Sequence, residues 1–292
     1  MTHGVASVRT DRRTGMAPPP NIRLDLSNRP ENVVLVRETI AGLGDAIALD
    51  AADLDDMRTA VTEACNNVVL HAYEGAEGPM EIEIYAGAAS CGVFVRDRGI
   101  GLKPQADRDQ WIVGIGLPVI EALAEGVDFE ETPGGGTEVR MRFETPGVRP
   151  LESVEVMSDT QDDTARRGST TTVTIAPVAP LARSVLPRLL GVLAARANFS
   201  TDRISDAHLV ADALSAHAAE ATSAGHLTIT VHIEPRNLEL TLGPLDAGSV
   251  RQLISSVDGD GLGHVLEKLS DRVGVEVDGS HELLDLQLTD PR

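Results

Sequence analysis

One segment, EACNNVVLHAY from Glu63 to Tyr73, constrains this chain more than any other part of its sequence. Just upstream and into it, apolar residues recur near a period of 3.6, after an acidic opening that suits a helix N-terminus. The apolar positions are Met57, Val61, Ala64, Val68 and Val69, and the acidic ones are Asp53, Asp55 and Asp56. The sequence therefore predicts a helix that begins near Leu54 and continues through this segment.

Glu63 and Asn67 stand four residues apart, so a helix places both side chains on one face, about one turn from each other. A carboxylate can orient or deprotonate an attacking group. An amide oxygen is a hard, neutral ligand of the kind that Mg²⁺ accepts. The pair is compatible with a base beside a metal ligand, and, taken alone, also with an ordinary polar helix face.

A second segment begins with the alternating residues CGVFV, Cys91 to Val95, which predict a strand. The strand leads directly into Asp97, Gly99 and Gly101. Glycines permit positive φ and close backbone approach, and a carboxylate accepts hydrogen bonds from amino groups such as the exocyclic one of adenine. A plain turn after the strand is the alternative.

A third segment, GIGL, comprises Gly114, Ile115, Gly116 and Leu117 and opens an apolar helical run that extends to Ala124. Backbone N–H groups at a helix N-terminus form a cradle for phosphate.

A fourth segment, PGGGTEVRMRF, places a glycine turn before Thr137 and a strand in which Val139, Met141 and Phe143 share one face. A glycine-rich hairpin accounts equally for this fourth segment when it is taken by itself.

In this order and spacing, the segments resemble the ATPase superfamily shared by gyrase, histidine kinases and mismatch-repair proteins, known as GHKL or the Bergerat fold. The resemblance covers roughly residues 20–146 and includes LSNRPENVVLVRETIAGL, which is similar to the family's first strand and helix. The short intervals and the EAxxN…HAY form look most like the serine kinases that act as anti-sigma factors. Such proteins bind a sigma factor and phosphorylate a small antagonist.

The resemblance implies a role for each matching residue. Glu63 would be the general base or water-orienting residue, Asn67 the magnesium ligand, and Asp97 the group that reads adenine. Gly99 and Gly101 would shape the floor of the pocket. The remaining cofactor-binding positions would be Gly114, Ile115, Gly116 and Leu117 beside the phosphates and Thr137 beside the base.

Two further features of the matched region carry less information. His71 and Tyr73 match the motif, but the resemblance gives them no defined role. The segment that would cover the phosphates, residues 102–113, is short and holds only Lys103 and Arg108 as basic residues. We therefore expect the phosphate charge to be only partly covered.

Residues 170–292 repeat the predicted order of elements, as expected for an internal duplication. The pattern predicts a strand in TTVTIAP, helices over Leu181 to Ala197 and Asp202 to Ala221, then the strands LTITVHI and LELTLG, and a closing strand LLDLQL. Gly261 to Leu269 echoes the run that starts at Gly114. An unrelated α/β domain is the alternative.

The nucleotide ligands are not repeated. The aligned residues are Asp212 for Glu63, Ala216 or, in a shifted alignment, His217 for Asn67, and Gly243 for Asp97. We expect a disordered tail over residues 1–19, an ATPase domain over 20–146, a linker over 147–169 and a degenerate copy over 170–292. A tandem pair would supply both halves of a dimer in one chain, and a true homodimer stays open.

Composition limits the partners. The net charge of −20 and the 2% aromatic content argue against direct nucleic-acid binding, which needs a basic footprint and stacking platforms. The pI near 4.7 suits a basic protein partner. The only cysteines, Cys65 and Cys91, fall in a predicted helix and strand, as expected for buried, reduced thiols.

No apolar run approaches the length of a membrane span, and the N-terminal residues lack the apolar core of a signal peptide, so a cytoplasmic location is expected. The sequence thus predicts a two-layer α+β sandwich, a mixed sheet covered by helices on one face and duplicated. Its predicted function is an ATP- and Mg²⁺-dependent serine/threonine kinase of anti-sigma type, with sigma factor and antagonist as partners. A binding module without turnover and the ATPase half of a split histidine kinase are the alternatives.

Overall fold

The computed structural model describes residues 19–101, 116–132, 134–151, 170–255 and 262–291. The first half of the chain contains β1 (Ile22–Ser27), α1 (Pro30–Ile47), α2 (Ala51–Asn67), a π-helical turn (Val68–Ala72), β2 (Pro79–Ala86), β3 (Ser90–Asp97), α3 (Gly116–Leu123), β4 (Gly126–Glu131) and β5 (Thr137–Glu144). The second half contains β6 (Thr170–Ile175), α4 (Val178–Arg196), α5 (Thr201–His217), β7 (Leu227–Glu234), β8 (Asn237–Asp246), α6 (Ser249–Ser255), α7 (Leu262–Leu269), β9 (Arg272–Asp278) and β10 (His281–Thr289). The predicted tail apart from Pro19 and most of the predicted linker lie outside the described residues.

The described strands form one sheet in the order β4-β5-β3-β2-β1-β6-β7-β8-β10-β9. Each ladder between described strands is antiparallel. The expected α+β two-layer architecture is confirmed, and the sheet expected to be mixed is antiparallel. The reason lies in the connections: α1 and α2 together return the chain to the end of the sheet that it left, so β2 runs against β1, and hairpins join β2 to β3.

The long helices form a single layer in which α2, α1, α4 and α5 pack side by side in that order. Alternate strand residues face this layer, as period-2 burial requires. In β2 these are Met80, Ile82 and Ile84, all fully buried. The predicted alternation in β5 is confirmed, because Val139, Met141 and Phe143 are all buried.

The two halves have the same topology. Replacing each strand of β4-β5-β3-β2-β1 by its counterpart from the second half gives β9-β10-β8-β7-β6, the reverse reading of the other half of the sheet. The halves join where β1 pairs with β6 and where α1 packs on α4. One hydrophobic core therefore runs through both halves.

α4 is, among the described helices, long and apolar enough to span a membrane, which corrects the expectation that no apolar run approaches this length. Nine of its residues are buried in the protein core, among them Leu181, Val185, Leu189 and Leu193. The composition of α4 follows from its central place between α1 and α5, since such a helix is covered on most sides.

The start of the predicted linker packs on the first half. Val148 is buried, and the N–H of Arg149 donates to the carbonyl of Ile47 at 2.8 Å. The chain thus stays attached to the end of α1 for several residues beyond β5.

Candidate functional site

Glu63 and Asn67 lie on the last two turns of α2. Asp50 caps the start of this helix by accepting the N–H of Ala52 at 2.9 Å, which satisfies one otherwise free donor. The buried face of α2 consists of Met57, Ala60, Val61, Ala64 and Cys65. Glu63 and Asn67 are half-buried beside this face, so their polar groups remain accessible while the helix is held firmly.

Gly116, the first residue of α3, lies against both side chains. A Cβ at Gly116 would stand 3.0 Å from Oε2 of Glu63 and 3.6 Å from Oδ1 of Asn67. The structure therefore brings the glycine segment and the Glu63–Asn67 face together, as the resemblance implies. Leu117, the next residue, is partly buried and packs against the core, while Gly114 and Ile115 lie outside the described residues.

A π-helical turn follows Asn67 directly. Such turns occur frequently at functional sites. The carbonyl of Ala72 at its end accepts the N–H of Ile100 at 2.9 Å, and a Cβ on Gly99 would lie 2.0 Å from that carbonyl oxygen. Only glycine fits at position 99, and the loop after β3 is thereby fastened to the end of α2.

Asp97, the last residue of β3, is 5% exposed. Its Oδ1 accepts the N–H of Gly99 at 2.8 Å, and its carboxylate also accepts the N–H of Thr137. Burial raises the pKa of Asp97, and these two hydrogen bonds offset part of the rise. Asp97 and Thr137, which the resemblance places near the same base, are thus in direct contact.

Gly101 and Gly136 shape the same corner. Gly101 has φ +68°, and a Cβ added to it would stand 3.5 Å from the backbone N of Gly136. Gly136 has φ +92°, and a Cβ there would stand 2.2 Å from the carbonyl oxygen of Asp97. The sequence did not single out Gly136, although its place in a triple glycine just before Thr137 could have indicated it.

Tyr73 has a defined place that the sequence left open. Its hydroxyl donates to the carbonyl of Pro79 at 2.5 Å and accepts the N–H of Arg98 at 2.8 Å. Arg98 itself points to the other side, where its guanidinium pairs with Glu81 at 2.7 Å. His71, by contrast, is exposed.

The second half lacks these groups at the matching positions. The buried residues of α5 are Ala207, Val210, Ala211, Leu214 and Ser215, each 150 positions after a buried residue of α2. This register places Ala213 at the position of Glu63 and His217 at that of Asn67. This register differs by one residue from the sequence alignment that used Asp212 and Ala216. It agrees with the shifted alignment, which placed His217 at the position of Asn67.

The counterpart of Asp97 is Pro244. In the first half Arg96 pairs with Glu81, and Asp97 follows; in the second half Gly243 pairs with Thr228, and Pro244 follows. The sequence alignment chose Gly243, one position earlier. The register along β7 thus assigns Pro244 to the position of Asp97, at a bulge of β8 where Leu242 pairs with Leu284 and Leu245 pairs with Glu282.

α6 closes this corner in the second half. The N–H of Val250, a fully buried residue, donates to Oε2 of Glu282 at 3.1 Å. Behind it, a Cβ on Gly263 would lie 2.1 Å from the carbonyl oxygen of Ile254, so α6 and α7 are in close contact. A short helix thus occupies the space between β8, β10 and α7.

The described residues of the first half fit a magnesium-bound nucleotide by the chemistry of their donors. Asn67 offers one neutral oxygen, Gly116 opens a helix N-terminus beside it, and Asp97 offers a buried acceptor. The described part of the chain holds no cluster of three His, Cys, Asp or Glu side chains that could bind a metal alone. A single amide ligand suits Mg²⁺, which is commonly held by few protein groups plus substrate phosphates and water.

The first half of the chain is similar to known proteins. Residues 26–143 match the family model described as histidine kinase-like ATPase domain. An anti-sigma F factor of Clostridium kluyveri is 25% identical over 135 residues, which cover 42% of this chain and 92% of that protein. The serine-protein kinase RsbW of Halalkalibacterium halodurans is 29% identical over 131 residues, covering 40% of this chain and 79% of the relative.

Among solved structures, the RsbU and RsbW domains of a Mycobacterium tuberculosis protein are 22% identical, with a TM-score of 0.33, covering 45% of this chain and 34% of that one. These matches extend over less than half of the chain, and the family model ends within β5. The likeness of this chain to the histidine kinase-like ATPase domain therefore lies in residues 26–143.

Proposed function

We propose that this protein is an ATP- and Mg²⁺-dependent serine/threonine protein kinase of the anti-sigma factor type. The observation that carries the proposal is the contact of Gly116 with both Glu63 and Asn67. In that contact a carboxylate, an amide oxygen and a helix N-terminus share one small volume, which supports the proposal because phosphoryl transfer is catalysed by positioning and by stabilisation of charge.

In this proposal each residue has one task. Glu63 accepts the proton of the attacking hydroxyl, and Asn67 offers its Oδ1 to Mg²⁺. Asp97 accepts a hydrogen bond from the exocyclic amino group of adenine, supported by Thr137. Bound ATP with its metal supplies the transferable γ-phosphoryl group, and catalysis then rests on positioning and on charge stabilisation by the backbone at Gly116.

The regulatory part of the proposal rests on the names of the relatives. Those proteins are an anti-sigma F factor and a serine-protein kinase. By analogy, we infer that this chain binds a sigma factor and phosphorylates a serine or threonine of an antagonist protein in the cytoplasm. Its net charge of −20 favours a basic docking surface on at least one of these partners.

The proposal divides the chain into a competent domain over residues 20–146 and a degenerate copy over 170–292. The shared topology and the matching burial of α2 and α5 support a common origin. Ala213, His217 and Pro244 in place of the three polar groups support a copy without nucleotide. The second domain then acts as a fixed partner subunit, a scaffold that lines the β1–β6 junction.

The test is a calorimetric titration of ATP with and without Mg²⁺, followed by a phosphate-transfer assay with a candidate antagonist. Asn67→Ala should abolish the magnesium-dependent part of binding, while Asn66→Ala, its neighbour on the same helix, should retain it. Glu63→Gln should bind Mg-ATP and fail to transfer phosphate, with Glu121→Gln on α3 as its control. Native transfer by the Glu63 variant would exclude the assigned role.

A second candidate is a module that binds ATP and a transcription regulator without turnover. The observation that favours it is the loss of the nucleotide-binding groups in the second half of the chain. A protein that retains one ATPase-like domain for binding alone can retain the other domain for binding as well. The two candidates differ in one measurement. A kinase consumes ATP in proportion to added partner, whereas a binding module consumes none while its complex with the partner still forms.

A further inference from the structure

Tyr73 lies where the β2–β3 ladder ends. The outermost pair of that ladder joins Met80 to Asp97. The next rung outward would join Pro79 to Arg98. Instead of pairing directly, these two backbone groups share the hydroxyl of Tyr73, which donates to the Pro79 carbonyl at 2.5 Å and accepts the Arg98 N–H at 2.8 Å.

The inserted hydroxyl changes the path of the chain after Asp97. Because the strands part at this point, the residues after Asp97 leave the ladder and turn toward α2. Ile100 then donates its N–H to Ala72 at 2.9 Å, and Ala72 directly precedes Tyr73. The turn that carries the Asp97 carboxylate is therefore held on both sides by residues 72 and 73.

The ring of Tyr73 is itself fixed by close packing. A Cβ on Gly78 would lie 2.1 Å from Cε1 of the ring. Gly78 in turn donates its N–H to Oδ1 of Asn28 at 2.9 Å, and Asn28 donates to the Ala76 carbonyl at 3.1 Å. The hydroxyl has little freedom to leave its two partners.

From this geometry we propose that Tyr73 is a positioning residue for nucleobase selection: its hydroxyl sets the orientation of the Asp97 carboxylate and thereby the preference for adenine. This inference rests on the proposed nucleotide function of the first half. Without the hydroxyl, Pro79 and Arg98 either close the next rung or remain unpaired, and in both cases the turn bearing Asp97 shifts.

The experiment compares the affinities of the magnesium complexes of ATP and inosine triphosphate, which carries a carbonyl oxygen in place of the exocyclic amino group. Tyr73→Phe should lower the preference for ATP over inosine triphosphate by roughly tenfold. The misplaced Asp97 carboxylate would lose its hydrogen bond to adenine, and one hydrogen bond to a charged group has an effect of that size. Asp97→Asn should remove the preference. The double variant should match Asp97→Asn alone, because Tyr73 acts through Asp97.

Tyr85→Phe is the matched control. Tyr85 is the other of the two tyrosines in the chain, and its hydroxyl donates to Glu83 at 2.9 Å on the opposite face of the sheet. Its removal should leave base preference unchanged. Gly78→Ala, which displaces the ring of Tyr73 by another route, should reproduce the loss seen with Tyr73→Phe. An unchanged preference in Tyr73→Phe, or additive losses in the double variant, would overturn the inference.

Amide hydrogen exchange separates this inference from the proposed function. The amides of Arg98, Gly99 and Ile100 should exchange faster in Tyr73→Phe than in Tyr85→Phe, with no nucleotide present. If the wild-type protein binds no ATP but this exchange difference is found, the nucleotide function fails while the positioning contact stands. Equal exchange in both variants would overturn the positioning contact itself.

Discussion

Gly116 and Glu63 are neighbours in space: an added Cβ at Gly116 would stand 3.0 Å from Oε2 of Glu63. The first residue of α3 thus sets how far the carboxylate can extend. Oδ1 of Asn67 lies 3.6 Å from the same point, an ordinary contact, so a side chain at position 116 crowds Glu63 first.

Gly116→Ala should therefore lower the rate of phosphate transfer, by less than the roughly 100-fold that a displacement of about 1 Å at a reacting group causes, because the Glu63 carboxylate has to move by only a few tenths of an ångström. The fold should persist, since the crowded atom is the end of a side chain. Gly92→Ala is the control, because an added Cβ there meets nothing closer than 3.9 Å. Equal transfer rates for the two variants would contradict the arrangement.

The raised pKa of Asp97 has a consequence for binding. The ionised carboxylate accepts a hydrogen bond from the amino group of adenine more strongly than the protonated form does, so Mg-ATP affinity should decline with acidification at a higher pH than an exposed aspartate would give. Titrations of ATP over a pH series measure this decline. In Asp97→Asn the affinity should be low at neutral pH and lack that dependence.

Asp97 should also affect stability. Burial holds its pKa in the folded protein above the value in the unfolded chain. Between these two values the folded state binds more protons, so the contribution of Asp97 to the free energy of unfolding falls as pH rises through that window and stays reduced at neutral pH. Denaturant unfolding should show Asp97→Asn at least as stable as the wild type at neutral pH, with Asp128→Asn as control; a marked loss would contradict this.

The two thiols should be inert in the folded protein. Cys65 and Cys91 are fully buried and unpaired, and burial raises the pKa of each to about 12. Because the thiolate is the reactive form, a thiol reagent at mildly alkaline pH should label neither residue in native protein and both in denaturant. Rapid labelling of native protein would show that α2 or β3 opens readily.

Nucleotide should bind with a stoichiometry of one per chain. The second half offers Ala213, His217 and Pro244 at the three polar positions, and Val250 of α6 is buried in the corresponding corner. Asn67→Ala should then remove all magnesium-dependent binding measured by calorimetry. A stoichiometry of two, or binding that survives in this variant, would place a second site in residues 170–292.

The contact between α1 and α4 should be sensitive to the size of the side chain at position 42. A Cβ on Gly42 of α1 would lie 2.7 Å from the carbonyl oxygen of Ser184 in α4. The overpacking should destabilise the protein by about 1–3 kcal/mol. This loss should exceed the gain of about 1 kcal/mol from replacing glycine within a helix, so Gly42→Ala should lower the free energy of unfolding. The exposed Val34→Ala on the same helix should change it by no more than about 0.5 kcal/mol.

Unfolding should also be a single transition that involves both halves, because β1 and β6 share a ladder and one core crosses the junction. Unfolding followed by circular dichroism and by hydrogen exchange should show the same transition in both halves. Two separated transitions would show that the halves are independent.

Local sequence patterns predicted a large part of this fold. The helical period upstream of Glu63 predicted α2, and the alternation around Val93 and Met141 predicted β3 and β5, because burial of one face leaves a direct mark on residue type. The patterns named no strand at β2, where the alternation of Met80, Ile82 and Ile84 with Glu81 and Glu83 was not used. The other elements that they missed are β4, β9 and α6. They are short, charged or at an edge of the sheet, so that few of their positions are buried and the periodic signal is weak.

The sequence by itself determined which chemical groups are present and in which order: Glu63 and Asn67 on one helix face, Asp97 at a strand end, and Gly116 at a helix start. Tertiary structure decided which of these meet. The contact of Gly116 with Glu63, the hydroxyl of Tyr73 within the β2–β3 ladder, and the one-residue shift to Ala213 and Pro244 all depend on strand register and helix packing. Spacing along a chain fixes the face on which a side chain lies, whereas its partner across space is chosen by long-range pairing, which local periodicity does not encode.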